Sequence, residues 1–142
     1  GILLLRYKAY VTSRDFGGMM VPVPAQNSCI REYVANNNGV YILPNLESSF
    51  DNCFHQLFGA IANIIQGDAL VMYSLTMLPK GQKLKQFLDM CSLKGITLAF
   101  VLENITVSAD YSKLINEMET YKLASLELSE ADWGELIDIY YQ

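Results

Sequence analysis

The fold is decided by residues 49–75, SFDNCFHQLFGAIANIIQGDALVMYSL. Apolar residues recur every three or four positions through Ser49–Gln66, which predicts an amphipathic helix with a broad apolar stripe. Gly67-Asp68 ends that helix, and the apolar run Ala69–Leu75 predicts a buried strand. A helix followed at once by such a strand is typical of proteins in which helices cover a parallel sheet.

The same alternation continues on both sides of this segment. Apolar runs predict further strands at Leu3–Val11, Val40–Leu43 and Ile96–Leu102, and helical spacing predicts helices at Gln26–Asn36, Lys80–Lys94 and Asp110–Lys122. The order predicts an α/β fold with a parallel-rich sheet of four or five strands and helices on both faces. Beyond it, Leu123–Leu128 is either a short strand or a connection, and a capping box at Ser129 precedes a final amphipathic helix.

The composition fits one domain with a substantial core. The chain has 142 residues, of which 51% are hydrophobic, so general disorder is excluded and a single domain over residues 1–142 is expected. Apolar runs stay shorter than the about 18 residues of a transmembrane helix. Three cysteines without CxxC spacing predict free thiols and favour a cytoplasmic location.

Charge is divided unevenly along the chain. Residues 1–102 carry eight Lys or Arg and six Asp or Glu, for a net charge of +2, whereas residues 103–142 carry two lysines and nine acids, for −7. Acidic surfaces repel phosphates, and DNA affinity depends largely on contacts of Lys and Arg with phosphates. The sequence therefore predicts weak or no DNA binding, with the acidic third as a solvated face.

The sequence carries no recognisable nucleotide or metal motif. Gly17-Gly18 is not part of a GxGxxG pattern, and no GxxxxGK[ST] pattern occurs. His55 is the only histidine, which excludes a metal site with two or three histidine ligands. We therefore expect no metal and no cofactor, and we expect His55 to be a boundary residue of its helix rather than a catalytic base.

Polar residues, Thr12-Ser13-Arg14-Asp15, directly follow the first strand. In open α/β sheets, ligands and catalytic groups gather at the carboxyl ends of strands. A serine there can act as a nucleophile if nearby cations stabilise its alkoxide and the charged transition state. The alternative is that Thr12 and Ser13 simply lead from the strand into a turn.

Four short segments of the sequence, taken in order, match segments of a known family. They are Tyr10-Val11-Thr12-Ser13-Arg14-Asp15, Gly67–Tyr73, Lys94-Gly95 and Glu103-Asn104-Ile105. In this order they resemble the catalytic domain of the serine recombinases, the resolvase/invertase family, and the resemblance covers residues 3–120. It implies a resolvase-like three-layer fold. It also implies that Ser13 or Thr12 stands where the family has the serine that attacks DNA.

The family's charged catalytic residues have no charged counterparts at most of the matching positions. The arginine two residues before the serine falls on Val11 or Tyr10, an Asp-Arg pair falls on Thr76 and Met77, and a last arginine falls on Lys80. Recombinase chemistry needs several guanidiniums, because arginine grips phosphate oxygens with two donors. The resemblance thus implies that strand-transfer chemistry is lost. No catalytic role is expected for the family-equivalent positions Thr12, Ser13, Thr76, Met77 and Lys80.

The first hypothesis is therefore a domain that works by association with a protein partner or with itself, in DNA recombination or a mobile element. Apolar residues of the last third are candidates for its interface: Tyr111, Met118, Tyr121, Trp133, Leu136 and Tyr140. The alternative is that they pack against the domain's own sheet. Two other hypotheses are an active serine recombinase that uses Ser13 or Thr12, and a flavodoxin-like domain that binds a small anion at the Thr12–Gly18 loop.

Overall fold

Strands and helices alternate along the chain in the computed structural model, which describes residues 4–47, 53–108, 111, 112, 114–116 and 118. The strands are β1 (Arg6–Thr12), β2 (Val40–Ile42), β3 (Leu46–Glu47), β4 (Ala69–Met72), β5 (Thr97–Phe100) and β6 (Ile105–Val107). The helices are α1 (Val23–Asn36), α2 (His55–Asn63) and α3 (Gly81–Lys94), and a 3₁₀ turn covers Leu75–Met77.

The strands form a mixed, mainly parallel sheet in the order β2-β1-β4-β5-β6. β1 lies in its interior, where Lys8 is paired with Ile42 of β2 and with Leu70 of β4. The short strand β3 is a further parallel partner of β1, at Val11 and Thr12. β6 pairs with β5 in the antiparallel sense. The prediction of an α/β fold with a parallel-rich sheet is confirmed.

Alternate side chains of the central strands pack against helices on opposite faces of the sheet. On one face, α1 buries Ile30 and Val34 against Ala9 of β1 and Val71 of β4. On the other face, α2 and α3 bury a larger apolar set that includes Leu57, Ile61, Phe87, Tyr10, Met72 and Phe100. Since side chains of a strand alternate with a period of two, each central strand contributes to both cores. The result is the three-layer arrangement expected from the sequence.

The four predicted strands are present, and each is shorter than the apolar run that predicts it. β4 ends at Met72 rather than at Leu75, because Ser74 caps the 3₁₀ turn with its hydroxyl. β5 ends at Phe100, and the chain returns through a turn with Asn104 at φ 54° to form β6. The sequence does not predict β3 and β6, since two or three residues are too few to show a periodic pattern.

Helix α3 begins within one residue of its predicted start, whereas α1 and α2 begin three or more residues from theirs. α1 begins at Val23, three residues before the predicted start, and Pro24 therefore belongs to the helix and not to the loop. Proline is tolerated there because the N–H groups of the first turn have no partner within the helix. α2 covers His55–Asn63 and is shorter than the predicted 49–66, with extended backbone at Ile64. The start of that predicted range, 49–52, lies outside the described residues.

The C-terminal third is described only in part. Between 111 and 118, the residues described as helical are 112, 114–116 and 118, in line with the predicted helix Asp110–Lys122. Leu114 and Met118 are buried in the core that α2 and α3 cover. The alternatives for Leu123–Leu128 and the predicted final helix concern residues outside the described part of the chain.

Candidate functional site at the carboxyl end of β1

The carboxyl end of β1 is the meeting point of several segments. Tyr10 of β1 is paired with Met72 of β4, and Thr12 is paired with Glu47 of β3. The turn after β1, the 3₁₀ turn after β4 and the first turn of α2 complete the surroundings. The ends of parallel strands are where α/β proteins bind ligands, so the polar residues after β1 lie where chemistry is expected.

Thr12 is part of the framework of this site. It is fully buried, and Gln26 of α1 holds its backbone at both polar atoms: Gln26 Nε2 donates to Thr12 O at 2.8 Å, and Thr12 N donates to Gln26 Oε1 at 3.3 Å. The Thr12 hydroxyl accepts the N–H of Arg14 at 3.3 Å, a turn-closing contact typical of threonine. Ser13 is exposed. Of the two candidate nucleophiles, only Ser13 is therefore open to solvent.

The side chain of Arg14 connects three elements. Its Nη1 donates to Cys53 O at 2.6 Å, and its Nη2 donates to the Tyr10 hydroxyl at 3.2 Å and to Met77 O at 3.4 Å. The guanidinium carbon also lies 4.2 Å from the centre of the Phe54 ring, in a cation–π contact. Arg14 is thus directed at the protein, as a cross-link between β1, the start of α2 and the 3₁₀ turn.

Glu47 places a buried carboxylate, 2% exposed, at the N-terminus of α2. It accepts the backbone N–H groups of Gln56 at 2.9 Å and Leu57 at 3.1 Å, and the Tyr10 hydroxyl donates to it at 3.1 Å. An anion at this end of a helix satisfies N–H groups that lack partners within the helix, and the helix dipole stabilises it. Glu47 therefore fixes the point at which α2 begins.

Tyr10 connects the cation to the anion, since its hydroxyl accepts from Arg14 and donates to Glu47. Burial raises the pKa of this phenol far above its usual value; Arg14 opposes the rise and Glu47 adds to it. The phenol therefore remains protonated and keeps the O–H group that donates to Glu47. If Thr12 is matched to the family serine, Tyr10 stands where the resemblance places an arginine.

The second family-equivalent segment lies at the 3₁₀ turn. The Thr76 hydroxyl lies 2.8 Å from the Ser74 hydroxyl, which donates to Glu103 Oε2 at 2.7 Å. Met77 has a buried side chain, and Lys80 is exposed at the residue before α3. Lys80 is the only cation among the five family-equivalent positions. The charge pattern therefore differs from that of an arginine-rich phosphate site.

Gln26, Glu47 and Glu103 hold this site together, although no sequence pattern marks them as site residues. The two glutamates lie between predicted strands and helices, where charged side chains are expected in solvent. Each instead accepts backbone N–H groups; Glu103 Oε1 accepts that of Leu75 at 2.9 Å. The signal that points to Glu103 is its place soon after an apolar strand, the same signal that singles out Thr12.

Several backbone N–H groups of the turn after β1 donate hydrogen bonds within the turn itself. The N–H of Phe16 donates to Met19 O at 3.0 Å, the N–H of Met19 donates to Phe16 O at 2.9 Å, and the N–H of Arg14 donates to a threonine hydroxyl. Gly17 and Gly18 have φ values of 57° and 74°, which let the chain reverse in two residues. These N–H groups are directed into the turn rather than at an anion.

Two of the six interface candidates belong to the described residues. Tyr111 and Met118 are buried in the domain's own core, and the Tyr111 hydroxyl donates to Ile96 O at 2.9 Å. Burial, with a smaller contribution from Cys91, raises the pKa of Tyr111 to about 12. The burial of Tyr111 and Met118 agrees with the alternative in which this segment packs against the domain's own sheet. The other four candidates, Tyr121, Trp133, Leu136 and Tyr140, lie outside the described part.

His55 is exposed at the first residue of α2. Within the described residues, no group of three or more His, Cys, Asp or Glu side chains is arranged to hold a metal ion. Nor does any helix in that part of the chain have the length and apolar character needed to cross a bilayer. All three cysteines are free thiols.

No family model matches this chain, and no curated protein matches it. The resemblance to serine recombinases rests on the phrases quoted above and on the order of the elements. The functional assignment therefore depends on the contacts of individual residues at the end of β1.

Proposed function

We propose that this chain is a resolvase-like domain that has lost strand-transfer chemistry and works through protein association, in DNA recombination or a mobile element. The observation that carries the proposal is the orientation of Arg14, whose guanidinium donates to Cys53 O, Tyr10 Oη and Met77 O. The family resemblance implies an active site in which several arginines face a phosphate. An arginine held by internal oxygens supports the structure instead.

The electrostatics at the end of β1 also disfavour a phosphate. The buried carboxylate of Glu47 shares the Tyr10 hydroxyl with Arg14, so the positive charge there has a nearby anion. Thr76 and Met77 stand where the family has aspartate and arginine. Loss of one donor in a comparable electrostatic site lowers the rate by about 10²–10³, or about 2.7–4 kcal/mol. Several such losses together remove most of the catalysis.

The two hydroxyls at the strand end lack an activating group. Thr12 is fully buried, and its hydroxyl accepts the N–H of Arg14. Ser13 is exposed, and within the described residues no side chain forms a hydrogen bond with its hydroxyl. A serine hydroxyl is a poor nucleophile unless a base or a cationic environment activates it. These observations support the loss of chemistry over the active-recombinase hypothesis.

An apolar strip supports the association part of the proposal. Among the described strands, β2 is terminal in the sheet order. Val40, Leu43 and Leu46, which we name the β2–β3 edge, are all exposed, Leu43 by 67%. Edge strands with exposed apolar side chains favour contact with another chain. A second copy is the simplest partner, because two-fold dimers are the commonest protein assemblies.

The proposal also includes a location and a weak affinity for DNA. Free thiols at Cys29, Cys53 and Cys91 suit a reducing compartment, and we propose the cytoplasm. The net charge of −7 over residues 103–142 opposes the contacts with phosphates on which DNA affinity depends. We therefore expect the isolated chain to bind duplex DNA weakly or not at all at physiological salt.

The chemical part of the proposal is tested on supercoiled plasmid DNA, where a serine recombinase forms a covalent protein–DNA adduct. We expect no adduct with the unmodified chain or with Ser13→Ala. Ser28→Ala is the matched control, because Ser28 is an exposed serine of α1 that makes none of the hydrogen bonds described for the site. An adduct that survives Ser28→Ala but is lost in Ser13→Ala would establish an active recombinase instead. As a positive control, an active serine recombinase on a plasmid that carries its own recombination site shows that the assay detects adducts.

Sedimentation velocity of the full chain tests the association. We expect a species larger than the 16.0 kDa monomer. The double variant Leu43→Lys and Leu46→Lys is expected to return it to monomer, whereas Leu93→Lys, at an exposed leucine near the end of α3, is not. A chain that stays monomeric at about 100 µM, well above the Kd of a micromolar dimer, would contradict self-association and leave a different protein as the partner.

A further inference from the structure

A cavity of about 210 Å³ lies between α2 and the first half of β1. Arg6 and Lys8 of β1 line it together with Gly59 and Ala60 of α2. Apolar, amide and carboxylate side chains complete the lining: Ile42, Ile64, Ile65, Asn45, Asn63 and Asp68. None of the family-equivalent positions lines this cavity, so it is separate from the site at the end of β1.

Two cations of β1 line this cavity: Arg6, whose side chain is 47% exposed, and Lys8. Lys8 is partly buried, and its neighbours in the sheet are Ile42 on one side and Leu70 on the other. The next residue on the same face, Tyr10, is buried in the apolar core. The aliphatic part of a lysine covers apolar surface while its ammonium stays near solvent. Lys8 Nζ donates to Leu43 O, which holds the ammonium at the cavity wall.

Small residues on α2 keep the cavity open. Gly59 lies inside this helix, where a glycine is less favourable than an alanine. Its backbone is not among the positive-φ positions that require glycine, and a Cβ added there would meet nothing within 4 Å. Neither conformation nor close packing therefore explains this glycine. What it does is leave open space at a residue that lines the cavity.

The charge, volume and apolar lining of the cavity indicate the class of ligand that it fits. Arg6 and Lys8 supply two positive charges, and Asp68, with its Oδ2 3.8 Å from Arg6 Nη1, supplies one negative charge, which favours a monoanion. The volume is below the about 300–1,000 Å³ of sites for drug-sized molecules. We propose that the cavity binds a small aliphatic carboxylate, with its carboxylate at Arg6 and Lys8 and its apolar part against Ile42 and Ile65. This inference does not depend on the proposed function.

An NMR titration of the isotopically labelled full chain with isovalerate tests the proposal. We expect saturable shifts of amides around the cavity, including Asn45, Gly59 and Asp68, with a Kd of about 1 mM or tighter. Isoamyl alcohol lacks the charge, and inorganic phosphate lacks the apolar part. Each of these two probes is expected to bind at least about tenfold more weakly than isovalerate.

Substitutions assign the binding to this cavity. Gly59→Leu fills the space and is expected to abolish the saturable shifts, whereas Ala62→Leu, at an exposed position of the same helix, is expected to leave them. Lys8→Met removes the charge and is expected to weaken isovalerate about tenfold. The dispersion of the amide spectrum shows whether each variant is folded. The proposal would be overturned by no saturable binding up to about 50 mM, by equal binding of either comparison probe, or by unchanged binding to folded Gly59→Leu.

Discussion

Arg14 and Glu47 meet at one hydroxyl group: Arg14 Nη2 donates to the Tyr10 oxygen at 3.2 Å, and that hydroxyl donates to Glu47 Oε2 at 3.1 Å. The pair ties the end of β1 to β3 and to the start of α2. A hydrogen-bonded network of this kind is strongly stabilising only when every member is satisfied. The carboxyl end of β1 thus holds an internal hydrogen-bond network of Arg14, Tyr10 and Glu47.

Removal of the Arg14 guanidinium measures the strength of this cross-link. Arg14→Met keeps an unbranched apolar side chain but leaves Cys53 O and Met77 O without this donor. We expect urea denaturation to show a free energy of unfolding lower by about 1.5–3 kcal/mol, the range for hydrogen bonds to charged groups. Lys85→Met, on the exposed side of α3, is the control and should change stability by less than about 0.5 kcal/mol. A loss no larger than the control would mean that the guanidinium is not a cross-link.

Glycine substitutions separate two requirements of the turn after β1. Gly17 and Gly18 both have positive φ, where alanine introduces strain of about 1–2 kcal/mol. A Cβ on Gly17 would also lie 2.7 Å from Thr76 Oγ1, whereas one on Gly18 would meet nothing within 4 Å. We therefore expect Gly17→Ala to destabilise by at least about 1 kcal/mol more than Gly18→Ala in denaturant unfolding. Equal losses would show that the turn does not rest on Thr76.

Apolar patterning explains which parts of the fold are predictable. Ala69–Leu75 and Ile96–Leu102 predict β4 and β5, because an interior strand of a parallel sheet is buried on both faces and therefore continuously apolar. The ends of the elements are set by polar contacts instead. Ser74 begins the 3₁₀ turn after β4, and Glu47 accepts the first N–H groups of α2. Such contacts depend on side-chain geometry, which hydrophobic periodicity does not encode.

The site is less predictable than the fold. Polar residues after an apolar strand single out Thr12, Ser13 and Arg14, and the structure has these residues at the carboxyl end of β1. Whether Arg14 faces a phosphate or the protein is decided by the carbonyl groups of Cys53 and Met77, which no sequence motif marks. Because backbone carbonyls are present at every residue, their convergence on one guanidinium appears only in three dimensions.

Lys94 is a second cation that holds the fold together, at the opposite end of α2. Its Nζ donates to the carbonyl oxygens of Ile61 at 2.8 Å, Ala62 at 2.7 Å and Ile64 at 3.1 Å. A cation at a helix C-terminus satisfies carbonyls that lack partners and interacts favourably with the helix dipole. We expect Lys94→Met to lower the free energy of unfolding by about 1.5–3 kcal/mol in urea. Lys85→Met again serves as the control, and a loss no greater than that of Lys85→Met would exclude this role for Lys94.

Ionisation of the Cys91 thiol is expected to lower the stability of the fold at alkaline pH. This thiol of α3 is buried, and burial raises its pKa from 9.0 to about 12. The unfolded chain therefore loses the thiol proton at a lower pH than the folded chain does, and stability falls as pH rises. The stabilisation is fully present below the unfolded pKa of 9.0 and is lost as the pH rises towards the folded pKa of about 12.

Between about pH 9 and pH 10, this one thiol is expected to lower the free energy of unfolding by up to about 1.4 kcal/mol per pH unit. Guanidinium chloride denaturation at several pH values measures the slope. Buried Tyr10 and Tyr111, whose pKa values are also raised by burial, contribute mainly above about pH 10, where tyrosines of the unfolded chain ionise. Cys91→Ala should flatten the slope in this window, whereas Cys29→Ala, at a partly exposed cysteine of α1, should preserve it. A slope that Cys91→Ala leaves unchanged would assign the alkaline loss of stability to groups other than this thiol.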